Sequence, residues 1–217
     1  MSFDSELLSI VWRSLRISAT AVLISSALGV PAGTWLGLSR FRLKPVVATI
    51  VYTGMALPPV VVGLVLYLLL SRSGPLGEFG WLFTPQAMIA AQTLLALPFV
   101  TGITMAAVGG VPDELLQQIR SLGASPAQCR RAVLREARSG VLLAIAAAFG
   151  RSLSEVGAVL IVGGDIAGHT RVLTTAIVLE TRKGEFPFAL SLGAVLLMIA
   201  LLVNAAIVRL HGIRGVP

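Results

Sequence analysis

The sequence predicts an all-α integral membrane protein, one transmembrane domain over residues 1–217 with five spans and a single long polar connection. Three observations carry that reading. Of the 217 residues, 56% are hydrophobic and 12% charged, with a mean hydropathy of +0.90, so the chain lacks the polar surface that a water-exposed domain of this size must show. Charge-free windows at residues 17–39, 45–71, 79–112 and 186–208 each exceed the roughly 20 residues a helix needs to cross about 30 Å of hydrocarbon. Among these windows sits one stretch, residues 112–138, that holds eight charges. A helix-forming connection this long and polar should serve something outside the membrane, and a partner protein is the natural candidate.

Taken in order, residues 5–16 place apolar side chains at helical spacing with charges opposite, an amphipathic lead-in expected to lie at the outer interface with Trp12 as anchor. The first span, about 16–39, lacks a basic start and a small-residue cleavage site, so it is expected to be retained rather than removed as a signal peptide. The second, about 45–71, contains A-L-P-P-V-V-V-G, and the third, about 86–110, contains A-L-P-F. Proline inside a helix deletes one backbone bond and crowds the preceding turn, so both spans should kink or unwind at Pro58, Pro59 and Pro98. Such kinks either line a gated cavity or simply serve packing, and the residues leave both open.

In the polar stretch, Asp113 begins a helix with Leu115, Ile119 and Leu122 on one face and Gly123 placed to end it. Ser125 and Pro126 then open a second helix as N-cap and first residue. The fourth span, about 139–162, is interrupted by Arg151 and Glu155, one turn apart and able to neutralise each other. Glycines at 163, 164, 168 and 184 bracket a segment too short to span, read as an outer turn and a short helix at the membrane surface or dipping into a vestibule. The fifth span covers about 187–209.

The net charge of +7 is spread over short loops without interleaved aromatics, which argues for membrane topology and against nucleic acid. Arg40, Arg42 and Lys44, the five arginines of the polar stretch, and Arg209 with Arg214 form three basic regions. The connections 72–84 and 163–185 are balanced in sign. The positive-inside rule therefore predicts the N-terminus outside and the C-terminus in the cytoplasm. Cys129, the one cysteine, falls on the cytoplasmic side and reads as a packing residue. No internal repeat appears, and five spans are few to enclose a substrate path, so a homodimer is expected.

The run Q-Q-I-R-S-L-G-A-S-P resembles the "EAA" coupling loop of ATP-binding-cassette importer permeases. Gln117, Gln118 and Ile119 stand in the Glu-Ala-Ala places, Gly123 matches the glycine of that pattern, and Val133 falls at the later isoleucine. The closing Leu-Pro is replaced by Arg135 and Glu136, so the next span is not led by proline. Together with A-L-P-P-V-V-V-G, G-R-S-L-S-E-V-G-A and G-D-I-A-G-H-T-R-V-L-T-T-A-I, nearly the whole chain is similar to the permeases of molybdate and tungstate importers, and S-E-V-G-A-V-L-I-V-G-G with T-R-V-L-T-T-A-I-V-L-E-T-R-K-G-E-F, like the V-L-R-E-A-R end of the coupling loop, looks closest to the tungstate branch.

That resemblance implies a type I importer permease fold in a prokaryotic inner membrane. Two copies of the chain would sit on a cytoplasmic ABC ATPase dimer while an extracytoplasmic binding protein delivers tungstate or molybdate. It implies coupling through Gln117, Gln118, Arg120, Leu122, Gly123, Ala124, Ser125 and Pro126, and gating or passage near Pro58, Pro59, Pro98, Ser154, Glu155 and Gly157. The chain holds no G-x-x-x-x-G-K-[ST] loop, so no catalytic role or bound cofactor is expected of it, and ATP and Mg2+ belong to the partner ATPase.

Glu155 suggests an alternative, a secondary anion carrier or channel driven by an ion gradient, with that carboxylate as the coupling group. Pairing with Arg151 at a hinge or near the binding protein is the preferred reading, and Arg151 is then a structural cation rather than an attractor of the anion. Asp165, His169 and Arg171 lack the companions a metal site needs. Thr170, Thr174 and Thr175 can offer hydroxyls to a passing oxyanion or simply cap helices. A membrane-embedded enzyme lacks a nucleophile and base within the spans. The choice between tungstate and molybdate is expected mostly in the separate binding protein.

Overall fold

The computed structural model describes residues 3–210 as ten α-helices joined by turns, with no strand among the described residues. The first, α1 (Phe3–Leu38), runs 36 residues without interruption, through Pro31. The second apolar segment is a bent pair, α2 (Lys44–Met55) and α3 (Pro59–Leu70), meeting at 93°. A 3-10 turn at Gly77–Phe79 leads into α4 (Pro85–Gly109), followed by the short α5 (Asp113–Ser121) and α6 (Pro126–Glu136). A second bent pair, α7 (Arg138–Leu153) and α8 (Gly157–Gly163), turns by 56°. Then come α9 (Leu173–Lys183) and α10 (Phe186–Leu210). By length and composition α1, α4 and α10 can each cross a membrane alone, and the two bent pairs qualify only when each is taken as one span. Arg214, counted above among the cytoplasmic charges, lies outside the described residues.

The prolines act unequally. Pro58 and Pro59 remove two successive N–H donors, and a residue before proline avoids helical geometry, so Pro58 sits extended at φ −65°, ψ 121° and Pro59 opens α3. At Pro98 the expected unwinding is absent, because α4 continues through it. A single proline forfeits one bond, and the chain can absorb that where a neighbour packs close. Here Gly54 of α2 lies so near that an added Cβ would stand 2.9 Å from Pro98 Cβ.

Helices α1 and α4 pack along a stripe of Gly29, Gly33 and Gly37, spaced four apart so that all three face the same partner. A Cβ at Gly33 would come within 2.5 Å of the Thr101 carbonyl oxygen. Ile17, Leu66, Met88, Leu95 and Val159 bring α1, α3, α4 and α8 into one buried core.

The amphipathic lead-in is continuous with the first span, as the beginning of α1. Arg13 donates from Nη1 to the Arg171 carbonyl at 2.7 Å and from Nη2 to the Gly168 carbonyl at 2.9 Å. Ser14 Oγ accepts from the Leu173 N–H at 2.8 Å, satisfying an orphan donor at the start of α9. With Arg13 and Ser14 engaged by residues 168–173, and with Ile10 packed on Leu173, Ala176 and Leu192, this segment is tied to α9 and α10. Trp12, the expected anchor, remains exposed.

Candidate functional site: coupling pair and hinge

The polar stretch folds as the capping signals require. Helix α5 ends where Gly123 takes φ +80°, the left-handed geometry of a helix terminus, and an added Cβ there would meet nothing within 4 Å. Ser125 caps α6 in a reciprocal box: its N–H donates to Gln128 Oε1 at 2.7 Å, and the Gln128 N–H donates back to Ser125 Oγ at 3.4 Å. Pro126 is the first residue of α6.

The inner side of this pair rests on the membrane body, where Val133 and Ala137 pack with Val108 at the end of α4, joined by Leu38 and Leu116. Gln117, Gln118 and Arg120 are exposed, Leu122 is 87% exposed, and Ala124 is half-buried. Leu115 and Ile119 are half-buried, so the leucine that turns inward with the core is Leu116, and Leu122 projects away from the chain. Cys129 is buried, its Sγ 3.9 Å from the Ala124 carbonyl oxygen, beside a cavity of about 440 Å³ shared with Leu38, Leu116, Arg120 and Arg130. Arg40, in the turn after α1, pairs with Asp113 at 2.6 Å and ties that turn to the start of α5.

The remaining candidates gather where the two bent pairs touch. Gly157, first residue of α8, faces Val60 in the first turn of α3; an added Cβ would lie 2.9 Å from Val60 Cγ2. One turn on, Gly63 sits against Ala158, with 2.8 Å from its virtual Cβ to the Ala158 Cα. The bend after Pro58–Pro59 is thus keyed to the bend at residues 154–156. Pro98 packs against Gly54 on α2.

The Arg151–Glu155 pairing expected from helical spacing is absent. Helix α7 stops at Leu153, so the two residues no longer stand one turn apart on a common helix. Glu155 is 8% exposed and its Oε1 accepts from the Ala158 N–H at 3.0 Å, so it caps the first turn of α8 from the position before the N-cap residue Val156. Its carbonyl accepts from Thr174 Oγ1 at 2.9 Å, tying the break to α9. One of its two carboxylate oxygens is thus engaged in holding the start of α8. Arg151 instead lies over the Phe99 ring, its guanidinium carbon 4.7 Å from the centroid, and its buried Nε has no acceptor. Exposed Ser154 donates back to the Gly150 carbonyl at 2.9 Å.

The three threonines are structural. Thr170 donates to the Gly163 carbonyl at 2.6 Å and accepts from the Ile166 N–H at 2.9 Å. Thr175 accepts from the Val172 N–H at 3.1 Å, and Thr174 holds Glu155 as described. All three are buried. Arg171 pairs with Asp165 at 3.3 Å. Sequence reasoning missed Gln92, buried on α4, whose Nε2 donates to the Ser152 carbonyl at 2.9 Å and stitches α4 to the end of α7. An amide well inside a charge-free window was the available signal.

Comparison with known proteins gives this arrangement a family. The chain is 48% identical over 204 residues to a probable anion ABC transporter permease protein of Haloferax volcanii, covering 92% of this chain and 88% of that one. It is 42% identical over 211 residues to the tungstate uptake system permease protein TupB of Peptoclostridium acidaminophilum, covering 97% and 92%. Its fold matches a chain from inward-facing conformations of the MetNI methionine ABC transporter with a TM-score of 0.78 at 22% identity, covering 97% of each chain. Residues 29–213 match the family described as binding-protein-dependent transport system inner membrane component. The fold is that of ABC importer permeases, and the chain, a multi-pass membrane subunit of an ABC importer, belongs to that family.

Proposed function

We propose that this chain forms, with a second copy of itself, the translocation path of an importer for tungstate or molybdate, driven by a separate cytoplasmic ATPase and supplied by an extracytoplasmic binding protein. The α5–α6 pair carries the coupling half of this reading. Its outer side offers Gln117, Gln118, Arg120 and the 87% exposed Leu122 to a partner, while its inner side is packed on α4. A push on the pair is therefore delivered to the membrane helices rather than lost in a flexible loop. The basic character of residues 40–44 and 112–138 favours a cytoplasmic position for that surface, with the N-terminus outside.

Motion delivered to α4 and α7 would reach the paired bends at Pro58–Pro59 and Ser154–Gly157, which we take as the gate. Kinship with the tungstate permease supports the cargo assignment. Reconstitution of the chain with its ATPase and binding protein in liposomes tests the reading. Oxyanion uptake should require ATP inside and binding protein outside, with tungstate and molybdate competing. Uptake without the ATPase would refute it.

A further inference from the structure

We propose that Arg151 is the transient contact for the oxyanion on the translocation path, an assignment that rests on the importer reading above. Arg151 follows Arg138, the first residue of α7, by about 20 Å along the helix at 1.5 Å per residue, which sets its charge well inside the span. An ionised side chain at such depth needs compensation. The carboxylate expected to supply it, Glu155, is buried and engaged by the Ala158 N–H. The other ion pairs of the described residues are Arg40 with Asp113, Arg171 with Glu6 and Asp165, and Lys183 with Glu180, so none reaches Arg151.

The guanidinium is parked on the face of Phe99, 4.7 Å from the ring centroid. An aromatic face attracts the cation but accepts no strong hydrogen bond, and the buried Nε has no acceptor. The group is therefore held in position with donor capacity to spare. A tetrahedral dianion matches that capacity: guanidinium is weakly hydrated, always charged, and bonds oxyanions through a fixed fork.

The site is also weak by construction, as transport demands. One arginine per copy lowers the barrier to entry without the cage of donors that would trap the ion. The Ala158 N–H at the start of α8 offsets part of the Glu155 charge. Arg151 lies in the last turn of α7, which ends at Leu153 just before exposed Ser154. A change in the angle between α7 and α8 shifts the guanidinium relative to Phe99, so binding the anion and returning to the ring become alternating states of one side chain.

The test uses the complete assembly of permease, ATPase and binding protein in liposomes, with R151Q and R151K beside the unsubstituted protein. Tungstate taken up per ATP hydrolysed, binding-protein-stimulated ATPase activity and the thermal midpoint are measured together. R151Q should lower uptake per ATP about tenfold or more, the scale of one charge-assisted hydrogen bond, with stimulated ATPase and midpoint retained. R151K, which keeps the charge but loses the fork, should lower it about threefold. Uptake per ATP unchanged in both variants overturns the proposal. Parallel loss of uptake, ATPase and thermal midpoint in both also overturns it, as does failure of R151Q to assemble with R151K indistinguishable from the unsubstituted protein, since these mark a structural cation. If the unsubstituted assembly shows no ATP-driven uptake of either oxyanion, the importer reading itself is refuted and the assignment falls with it.

Discussion

Gly33→Ala measures how tightly the fold depends on the contact between α1 and α4. The added methyl carbon would sit 2.5 Å from the Thr101 carbonyl oxygen, 2.8 Å from Thr104 Cβ and 3.1 Å from the Met105 nitrogen. Two of these are backbone atoms, which cannot swing aside, so the helices must separate by several tenths of an ångström along a buried seam. Overpacking of this kind destabilises by about 1–3 kcal/mol, and the rigid obstacle puts Gly33→Ala near the upper end. Gly29→Ala meets only Val100 and Thr101 side-chain atoms, at 3.0–3.1 Å, and should cost about 1 kcal/mol because those groups can yield. Gly193→Ala, where nothing lies within 4 Å, should be neutral or stabilise by about 0.5–1 kcal/mol through the better helix propensity of alanine. Unfolding midpoints of the three purified variants in mild detergent give the ranking. A Gly33→Ala protein as stable as Gly193→Ala would refute the close-packed seam.

Three further outcomes follow from the same geometry. Ser14→Ala leaves the Leu173 N–H without its acceptor and should destabilise by about 1–3 kcal/mol, seen as a lower unfolding midpoint and faster amide exchange at Leu173. Glu155→Ala uncaps α8 and should cost about 1–2 kcal/mol; Glu155→Gln, which keeps an acceptor oxygen, should recover most of it, and equal damage from both would point to a role for the charge. Gly123→Val forces a β-branched residue to φ +80° with no packing gain to offset it. It should lower binding-protein-stimulated ATPase activity severalfold at unchanged membrane insertion, at a local conformational cost of about 1–3 kcal/mol, whereas Gly123→Asn should be milder because asparagine tolerates that geometry.

The α5–α6 pair was readable from sequence because its signals are local. Gly123, Ser125 and Pro126 act within one turn of themselves, and the structure places each where its own chemistry asks. The hinge was harder, because its logic is tertiary. Spacing suggested that Arg151 and Glu155 share a helix face, but that assumes an unbroken helix, and Ser-Glu-Val-Gly contains no proline to announce a break. Glu155 turns to cap the new helix α8, and Thr174, nineteen positions on, completes the joint. Pro98 differs: alone it leaves α4 one continuous helix, whereas the Pro58–Pro59 doublet reorients a span by 93°. The glycine stripe at 29, 33 and 37 was present in the sequence as a repeated four-residue spacing, yet spacing alone does not say which helix it faces. Contact with α4 gives that answer.

The buried Cys129 also gives this chain an internal reporter. It is the sole thiol in 217 residues, set at the seam where the coupling pair meets the end of α1 and shielded beside the 440 Å³ cavity. Its rate of alkylation reads the opening of that seam directly, without any engineered label. If ATP binding prises the pair from the membrane body, the thiol reacts faster; if the pair moves as one rigid piece with α4, the rate stays flat while transport proceeds. A single native sulfur thus distinguishes a lever that detaches from one that only tilts.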